Sequence, residues 1–208
     1  LFFLHYASLA IESSSNTIGN WQEIKPGGNT MCARGEEFSF FVHPGTVDNI
    51  IIDYIGGGAC WNSYTCSKDT ATFVDSVDYV KERQRKGLEG FYDKSNPHNP
   101  IKDWHHIVIP YCTGDIHWGS QEVHYLRKDE SSYKIKHYGA INARGVLNWV
   151  EENISSETTS KVLVTGCSAG AYGSIYWTPH IIELFKNSKV LQLGDAGIGI
   201  ITNNFFKN

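Results

Sequence analysis

The stretch Lys161-Val-Leu-Val-Thr-Gly-Cys-Ser-Ala-Gly170 decides the fold of this chain. It begins with an apolar run, which is typical of a buried strand, and ends in the pattern Gly166-x-Ser168-x-Gly170. A serine flanked by glycines between a strand and a helix indicates a nucleophile elbow, a sharp turn that exposes the serine hydroxyl. The glycines lack the Cβ atoms that would collide in so tight a bend. We therefore interpret Ser168 as a catalytic nucleophile; the alternative is a Ser-Gly turn in a surface loop.

Apolar runs alternate with helical patterns on both sides of this stretch. Strands are predicted at residues 38–43, 49–55, 105–110, 162–164 and 189–194, and helices around 71–85, 137–152 and 169–176. Pro179 is expected to interrupt or restart the last helix, with Thr178 as the N-cap of its second piece. The alternation predicts βαβ units, a mainly parallel sheet and one α/β domain.

Length and charge indicate one domain and give no sign of a nucleic-acid or membrane partner. The 208 residues can bury one sizeable core without a second domain. A net charge of −4 gives no reason to expect a nucleic acid or an anionic membrane as a partner. Residues 1–10 are mostly apolar but too few to span a bilayer. We interpret residues 1–20 as the tail of a signal peptide and a polar leader, with an apolar N-terminal strand as the alternative.

Five cysteines are many for a reduced cytosolic enzyme and favour a secreted protein. They are Cys32, Cys60, Cys66, Cys112 and Cys167. Cys60 and Cys66 are separated by a short loop and are therefore a natural local pair. Composition does not fix the other pairings. A zinc site is the competing interpretation, although no second cysteine pair or histidine pair has ligand spacing.

Acyl transfer by a serine also needs donors for the oxyanion, and the sequence offers two groups of them. One is the backbone N–H of Ala169, directly after the nucleophile. The other is the run Gly56-Gly57-Gly58 after the 49–55 strand, where glycine lets N–H groups approach a ligand closely. A plain tight turn is the alternative for this run.

The base of a catalytic triad is not evident in the sequence. In α/β-hydrolases the order is serine, then the acid, then histidine, and no histidine follows His180. His117 lies after a strand end and is expected to line the pocket rather than act as the base. Asp195 also follows a strand end, where it could serve as the acid or cap a turn. We expect the rest of the triad to lie beyond Asn208, so that the C-terminal part of the domain is missing here.

Four sequence blocks together resemble one family. They are Pro26-Gly-Gly-Asn-Thr-Met-Cys-Ala-Arg-Gly35, Gly56-Gly-Gly-Ala-Cys-Trp-Asn62, Ile109-Pro-Tyr-Cys-Thr-Gly-Asp-Ile-His-Trp-Gly119, and Gly166-Cys-Ser-Ala-Gly170 continued by Leu193-Gly-Asp-Ala-Gly197. In this order they are similar to the pectin acetylesterase family, which also includes the Notum carboxylesterases. The resemblance covers nearly the whole chain, from about residue 21 to residue 197.

The resemblance implies an α/β-hydrolase fold, with residues 21–208 as the N-terminal portion of one catalytic domain. It implies a secreted serine esterase that acts on O-acyl esters without a metal or cofactor. By position, Ser168 is the nucleophile, and Gly57, Gly58 and Ala169 form the oxyanion hole. It further implies the disulfides Cys60–Cys66 and Cys32–Cys112, which leave Cys167 free.

The substrate is less closely defined by the resemblance. We expect an O-acetyl ester on a polysaccharide such as pectin, bound by a monomer, with a Notum-like deacylase of a lipidated protein as one alternative. A non-catalytic carbohydrate-binding protein is another, and a thiol enzyme using Cys167 is a third. Five residues are expected in or near the pocket: Trp61, Asp115, His117, Trp118 and Asp195.

Overall fold

The structure, a computed structural model, describes residues 20–86 and 89–197, with backbone only for 84–86. The expected leader therefore lies almost wholly outside the described residues. The strands are Gln22–Ile24 (β1), Phe40–His43 (β2), Val47–Tyr54 (β3), Trp104–Ile109 (β4), Gln121–Leu126 (β5), Ser132–His137 (β6), Lys161–Cys167 (β7) and Lys189–Asp195 (β8). The helices are Asp78–Lys86 (α1), Gly139–Asn153 (α2) and Ala169–Leu184 (α3), with a short 3-10 helix at Gly90–Tyr92.

Six strands form one sheet in the order β1-β2-β4-β3-β7-β8. The three pairings among β4, β3, β7 and β8 are parallel, whereas β1 and β2 add antiparallel strands at one edge. The ends of β3 and β7 are aligned, since Tyr54 pairs with Gly166. This register brings the glycine run after β3 and the serine after β7 to the same edge of the sheet.

Helices α2 and α3 cover one face of the sheet. Alternate residues of β3, such as Ile50 and Ile52, point into a core shared with Val146 of α2 and Trp177 of α3. Burial of these side chains holds the central strands in register, because a one-residue slip would turn them to the opposite face.

The opposite face is covered unevenly. Under β2 and β4 it packs Val108 against Trp21 and Val80, so this part of the sheet is closed. At β8 the side chains of Leu191 and Leu193 are exposed. The sheet is therefore layered on both faces at its centre but not at β8.

Two features differ from the sequence-based expectations. The expected interruption at Pro179 is wrong: α3 continues through it, and the Thr178 hydroxyl donates to the Ser174 carbonyl instead of capping a second helix. The carbonyl that loses its helix partner belongs to the exposed Ile175, where solvent can satisfy it. The β5–β6 hairpin was not predicted, because its polar, charged residues give little apolar alternation. No helix in the described part of the chain is long and apolar enough to cross a membrane.

Candidate active site

Ser168 occupies a strained turn between β7 and α3. Its φ of 57° and ψ of −122° place a non-glycine residue in a region that costs about 1–3 kcal/mol. The turn depends on both flanking glycines: a Cβ on Gly166 would collide with the Gly170 carbonyl, and a Cβ on Gly170 with the Tyr54 carbonyl. The Ser168 N–H donates to the Asp195 carbonyl at 2.9 Å, so the turn is tied to β8 as well as to β3.

The glycine run after β3 lies against this turn. A Cβ on Gly56 would collide with the Cys167 carbonyl and stand 3.0 Å from the Cβ of Ser168. Gly58 has a φ of 79°, which side-chain-bearing residues rarely adopt, and its own Cβ would meet the Thr72 carbonyl. The sequence therefore needs glycine here for close approach, not only for turning.

Three backbone N–H groups predicted to form the oxyanion hole carry no hydrogen bond in the part of the chain that the structure describes. Among the described residues, no hydrogen bond uses the N–H of Gly57, Gly58 or Ala169. Ala169 is the first residue of α3, where N–H groups have no partner within the helix and the helix dipole favours negative charge. The arrangement suits an oxygen that acquires negative charge during a reaction.

Asp115 does not line a pocket but fastens a loop. Its Oδ1 accepts from the Thr113 hydroxyl at 2.6 Å, and its Oδ2 accepts from the N–H groups of Gly119 and Gly139 at 3.1 and 2.7 Å. Gly139 is the first residue of α2, so the carboxylate also binds the start of that helix. The expectation that Asp115 belongs to the pocket is corrected by these contacts.

His117 is buried behind the glycine run, which corrects its expected place in the pocket. Its ring Nε2 lies 2.9 Å from the Ile55 carbonyl, which immediately precedes Gly56. Its own carbonyl accepts from the indole N–H of Trp177 in α3. Burial lowers the pKa of His117, so the ring is neutral and Nε2 carries the proton that it donates. His117 thus joins the end of β3 to α3 from within the core.

Trp61 and Trp118 are both exposed, but their surroundings differ. Trp61 follows the glycine run, and only its backbone N–H is bonded, to the Thr65 hydroxyl. The Trp118 indole N–H donates to the Tyr172 carbonyl at 3.1 Å, one helical turn after Ser168. Trp118 is therefore held against the nucleophile's helix, whereas the ring of Trp61 has no such attachment among the described residues.

A cavity of about 600 Å³ opens where β3, β7 and β8 end. Ser168 and Asp195 line it; Trp61, Asp115, His117 and Trp118 do not. Leu193 adds an apolar wall from β8, on the side of the sheet that is left uncovered. Of the five residues expected at the pocket, Asp195 is the one that this cavity contains.

A buried polar cluster beside the cavity was not anticipated. Asp53 lines the cavity, accepts a hydrogen bond from the Tyr92 hydroxyl, and lies 3.5 Å from Nε2 of His106. Burial lowers the pKa of His106 and raises that of Tyr92, which keeps both groups neutral. The available signal was an aspartate inside the apolar run Ile50-Ile-Ile-Asp-Tyr54, since a carboxylate in a buried strand needs partners.

The cysteines are arranged as the resemblance implies. The structure contains the disulfides Cys32–Cys112 and Cys60–Cys66, and Cys167 is free and exposed. In the described part of the chain, one group of three side chains has metal-ligand distances: Cys60, Cys66 and His137. Its sulfurs are already bonded to each other, and the ring nitrogens of His137 bond the Thr113 carbonyl and the Tyr125 hydroxyl, so the group is not built for an ion.

A comparison with protein families accounts for the whole arrangement. The sequence profile named pectinacetylesterase matches residues 19–207. The chain belongs to the pectinacetylesterase family. The predicted resemblance is thereby confirmed.

Curated relatives of this pectinacetylesterase-family chain include two palmitoleoyl-protein carboxylesterases named NOTUM. The protein from Schmidtea mediterranea is 27% identical over 151 residues, which are 70% of this chain and 27% of the relative. The protein from Drosophila melanogaster is 23% identical over 176 residues, 80% of this chain and 25% of the relative. The chain thus spans about a quarter of the length of these relatives.

Solved structures confirm the fold. Two crystal forms of the Wnt deacylase Notum from Drosophila superpose with TM-scores of 0.61 and 0.53, at 17% and 18% identity. They cover 87% and 79% of this chain and 52% and 48% of the Notum chain. The predicted α/β-hydrolase with a mainly parallel sheet is therefore correct.

Proposed function

We propose that the protein to which this chain belongs is a carboxylic ester hydrolase with Ser168 as its nucleophile. One observation carries the proposal: a strained serine at the start of a helix packs against Gly56, and the N–H groups of Gly57, Gly58 and Ala169 are unbonded among the described residues. Strain of this kind persists only where the surrounding structure enforces it, and it is concentrated at functional sites.

In the proposed reaction, the Ser168 hydroxyl oxygen attacks the ester carbonyl and loses its proton to a base. The carbonyl oxygen becomes an oxyanion that accepts from the N–H groups of Gly57, Gly58 and Ala169. Collapse breaks the bond to the alcohol oxygen, which takes the proton back from the base, and leaves an acyl-serine; water, deprotonated by the same base, then attacks the acyl carbonyl, releases the carboxylic acid and restores the serine hydroxyl. Since His117 is committed to Ile55 and buried, we place the base and the acid that orients it outside the described residues.

We further propose that the ester is a small O-acetyl group on a polysaccharide such as pectin. The name of the family supports this choice, as do exposed indole rings near the nucleophile's helix. The relatives' name, palmitoleoyl-protein carboxylesterase, supports a second candidate, removal of a long acyl chain from a protein. The two candidates differ in acyl length, which is directly measurable.

Secretion is part of the proposal. Two disulfides, one of them joining residues 80 positions apart, form and persist in oxidising compartments. In a tagged full-length protein recovered from the culture medium, Cys32, Cys60, Cys66 and Cys112 should therefore resist alkylation without reduction, whereas Cys167 should react. Retention in the cytosol with all five of these cysteines alkylated would contradict this.

The test compares Ser168→Ala with Cys167→Ala in the full-length protein. Acetate release from acetylated pectin and from a chromogenic acetate ester should fall by about 10⁴-fold or more in Ser168→Ala, because the nucleophile is lost. A fluorophosphonate should label the parent protein but not this variant. Cys167→Ala should keep its activity, which would also dispose of the thiol enzyme. Full activity in Ser168→Ala would refute the proposal.

The acyl group is tested on a series of chromogenic esters. Acetate should be cleaved with a higher kcat/KM than a C16 ester if the O-acetyl proposal is right. A preference for the long chain would favour the deacylase.

A further inference from the structure

An exposed aromatic cluster lies next to the proposed nucleophile but outside its cavity. We define the aromatic platform as Trp118, Tyr172 and Tyr176. The side chains of Trp118 and Tyr176 are 41% and 45% exposed, and their ring centroids lie 5.4 Å apart. The Tyr172 ring meets that of Trp118 edge-on at 6.1 Å. Two large rings that contact each other and remain exposed to water form an apolar surface of the kind that marks ligand-binding sites.

The platform is fixed by a specific contact and not by core packing. The indole N–H of Trp118 donates to the Tyr172 carbonyl, which holds the ring against α3 while leaving its surface open. Rings presented in this way lose little additional side-chain entropy when a ligand stacks on them. The contact therefore prepares the surface for binding.

The platform leads away from the nucleophile. Tyr172 and Tyr176 follow Ser168 by about one and two turns, so Tyr176 lies about 12 Å along the helix from Ser168 at 1.5 Å per residue. A polymer whose reacting ester lies at Ser168 would pass over these rings with its neighbouring units.

A polar groove continues from the platform. It has a volume of about 670 Å³ and lies between α2, α3 and the loop at residues 25–30. Tyr176 belongs to its wall, together with Asn29, Arg144, Asn148 and Glu152. Amide, guanidinium and carboxylate groups beside an aromatic wall match the hydroxyl groups and apolar ring faces of sugars, and do not match an acyl chain.

Arg144 is the cation of the groove that is left for a ligand carboxylate, and it lines the groove together with the carboxylate of Glu152. Its guanidinium lies 4.9 Å from the Trp177 ring centroid, and in the described part of the chain no carboxylate forms an ion pair with it. Lys25, which also lines the groove, is already paired with Glu37 at 2.5 Å. An exposed, unpaired guanidinium stacked on a ring is well suited to bind a carboxylate through two parallel hydrogen bonds.

We propose that the aromatic platform and this groove form a binding subsite for an acidic polysaccharide, with a pyranose stacked on Trp118 and Tyr176 and a uronate carboxylate on Arg144. The inference rests on the proposed esterase function only in treating this polysaccharide as the carrier of the ester. Binding itself does not depend on catalysis.

The test uses the full-length protein with Trp118→Ala, Tyr176→Ala and Arg144→Gln, and Tyr64→Ala as a matched control. Tyr64 is a 68% exposed aromatic residue outside the platform and the groove. The measured quantity is the ratio of kcat/KM on acetylated pectin to kcat/KM on a small chromogenic acetate. The ratio should fall about tenfold in each platform variant and in Arg144→Gln, and stay at the parent value in Tyr64→Ala. Trp118→Phe should recover most of it, because a ring is restored.

Binding is measured separately, with trigalacturonate titrated into Ser168→Ala protein. Trp118→Ala and Tyr176→Ala should raise the Kd at least fivefold, and added salt should weaken binding in the parent more than in Arg144→Gln. If hydrolysis depends on Ser168 but neither the ratio nor the Kd changes, the subsite is refuted and the esterase stands. If trigalacturonate binding needs the platform but no ester is cleaved, the subsite proposal is supported and the esterase proposal is refuted. Loss confined to long-chain esters would refute the subsite by making the platform an acyl site.

Discussion

Strands β3 and β8 are both parallel neighbours of β7, yet they are built differently. In β3 every residue from Ile50 to Tyr54 is buried, because α2 and α3 cover one face and Tyr92 of the 3-10 helix packs over Asp53 on the other. In β8 most side chains are exposed, Leu193 by 60%. The backbone pairing is equally regular on both sides of β7. Among the described residues the two strands thus differ in how their faces are covered and not in the hydrogen-bonded ladder.

The candidate nucleophile draws on both strands. Gly170 packs against the Tyr54 carbonyl at the end of β3, and the Ser168 N–H donates to the Asp195 carbonyl at the end of β8. One support is therefore deeply buried and the other is largely exposed. The oxyanion donors Gly57 and Gly58 follow β3, so the better-supported side also carries the proposed catalytic N–H groups.

The largest expected effect is the loss of stability when an apolar side chain is truncated in β3 rather than in β8. Ile52→Ala in β3 should lower the free energy of unfolding of the full-length protein by about 2–5 kcal/mol, because a fully buried side chain leaves a cavity. Leu193→Ala in β8 should change it by about 0.5 kcal/mol or less, since this side chain is mostly exposed. Urea titration followed by circular dichroism measures both. Equal losses in the two variants would show that β8 is covered in solution.

A second pair of variants tests how closely the backbone is packed at the end of β3 and in β8. Gly170→Ala should destabilise the chain by about 1–3 kcal/mol or more, because the new methyl group meets the carbonyl of Tyr54 and neither backbone can move easily. Gly194→Ala should cost much less: its Cβ would lie 3.2 Å from the flexible Gln192 amide and 3.3 Å from the Ala171 methyl. Fluorophosphonate labelling of Ser168 in the full-length protein should be lost in the first variant and retained in the second. Retained labelling in Gly170→Ala would show that the turn tolerates a side chain.

The sequence predicted those features that depend on local chemistry. The Gly166-x-Ser168-x-Gly170 pattern and the Gly56–Gly58 run specify tight turns directly, and the register of β3 and β7 then brings them together. Side-chain direction is not local in this way. Asp115 and His117 follow a strand end as expected, but backbone N–H groups around the loop take up the carboxylate, and the Ile55 carbonyl takes up the imidazole.

The exposure of β8 also could not be foreseen. Lys189-Val-Leu-Gln-Leu-Gly194 has the composition of an ordinary strand, and its pattern says nothing about which layer covers it. The same limit explains why Asp195 lines the cavity beside Ser168 whereas Trp61, Asp115, His117 and Trp118 do not. A strand's end can be located from sequence, but the surface that its last side chain faces depends on the elements packed around it.

The smallest expected effect concerns the point where β7 and β8 end together. Cys167 pairs in register with Asp195, and partial desolvation, followed by the nearby carboxylate of Asp195, raises the pKa of this largely exposed thiol. A raised pKa means that less of the reactive thiolate is present at any pH below it, so iodoacetamide should react with Cys167 more slowly at pH 8 than with a free thiol, and faster as the pH rises. Asp195→Asn removes the negative charge and should speed alkylation several-fold at pH 8, whereas Asp129→Asn, in the exposed turn between β5 and β6, should not. The rate is followed by mass spectrometry of the labelled peptide. If the two variants react alike, the carboxylate of Asp195 does not act on the thiol, and its contribution to the site reduces to the carbonyl that holds Ser168.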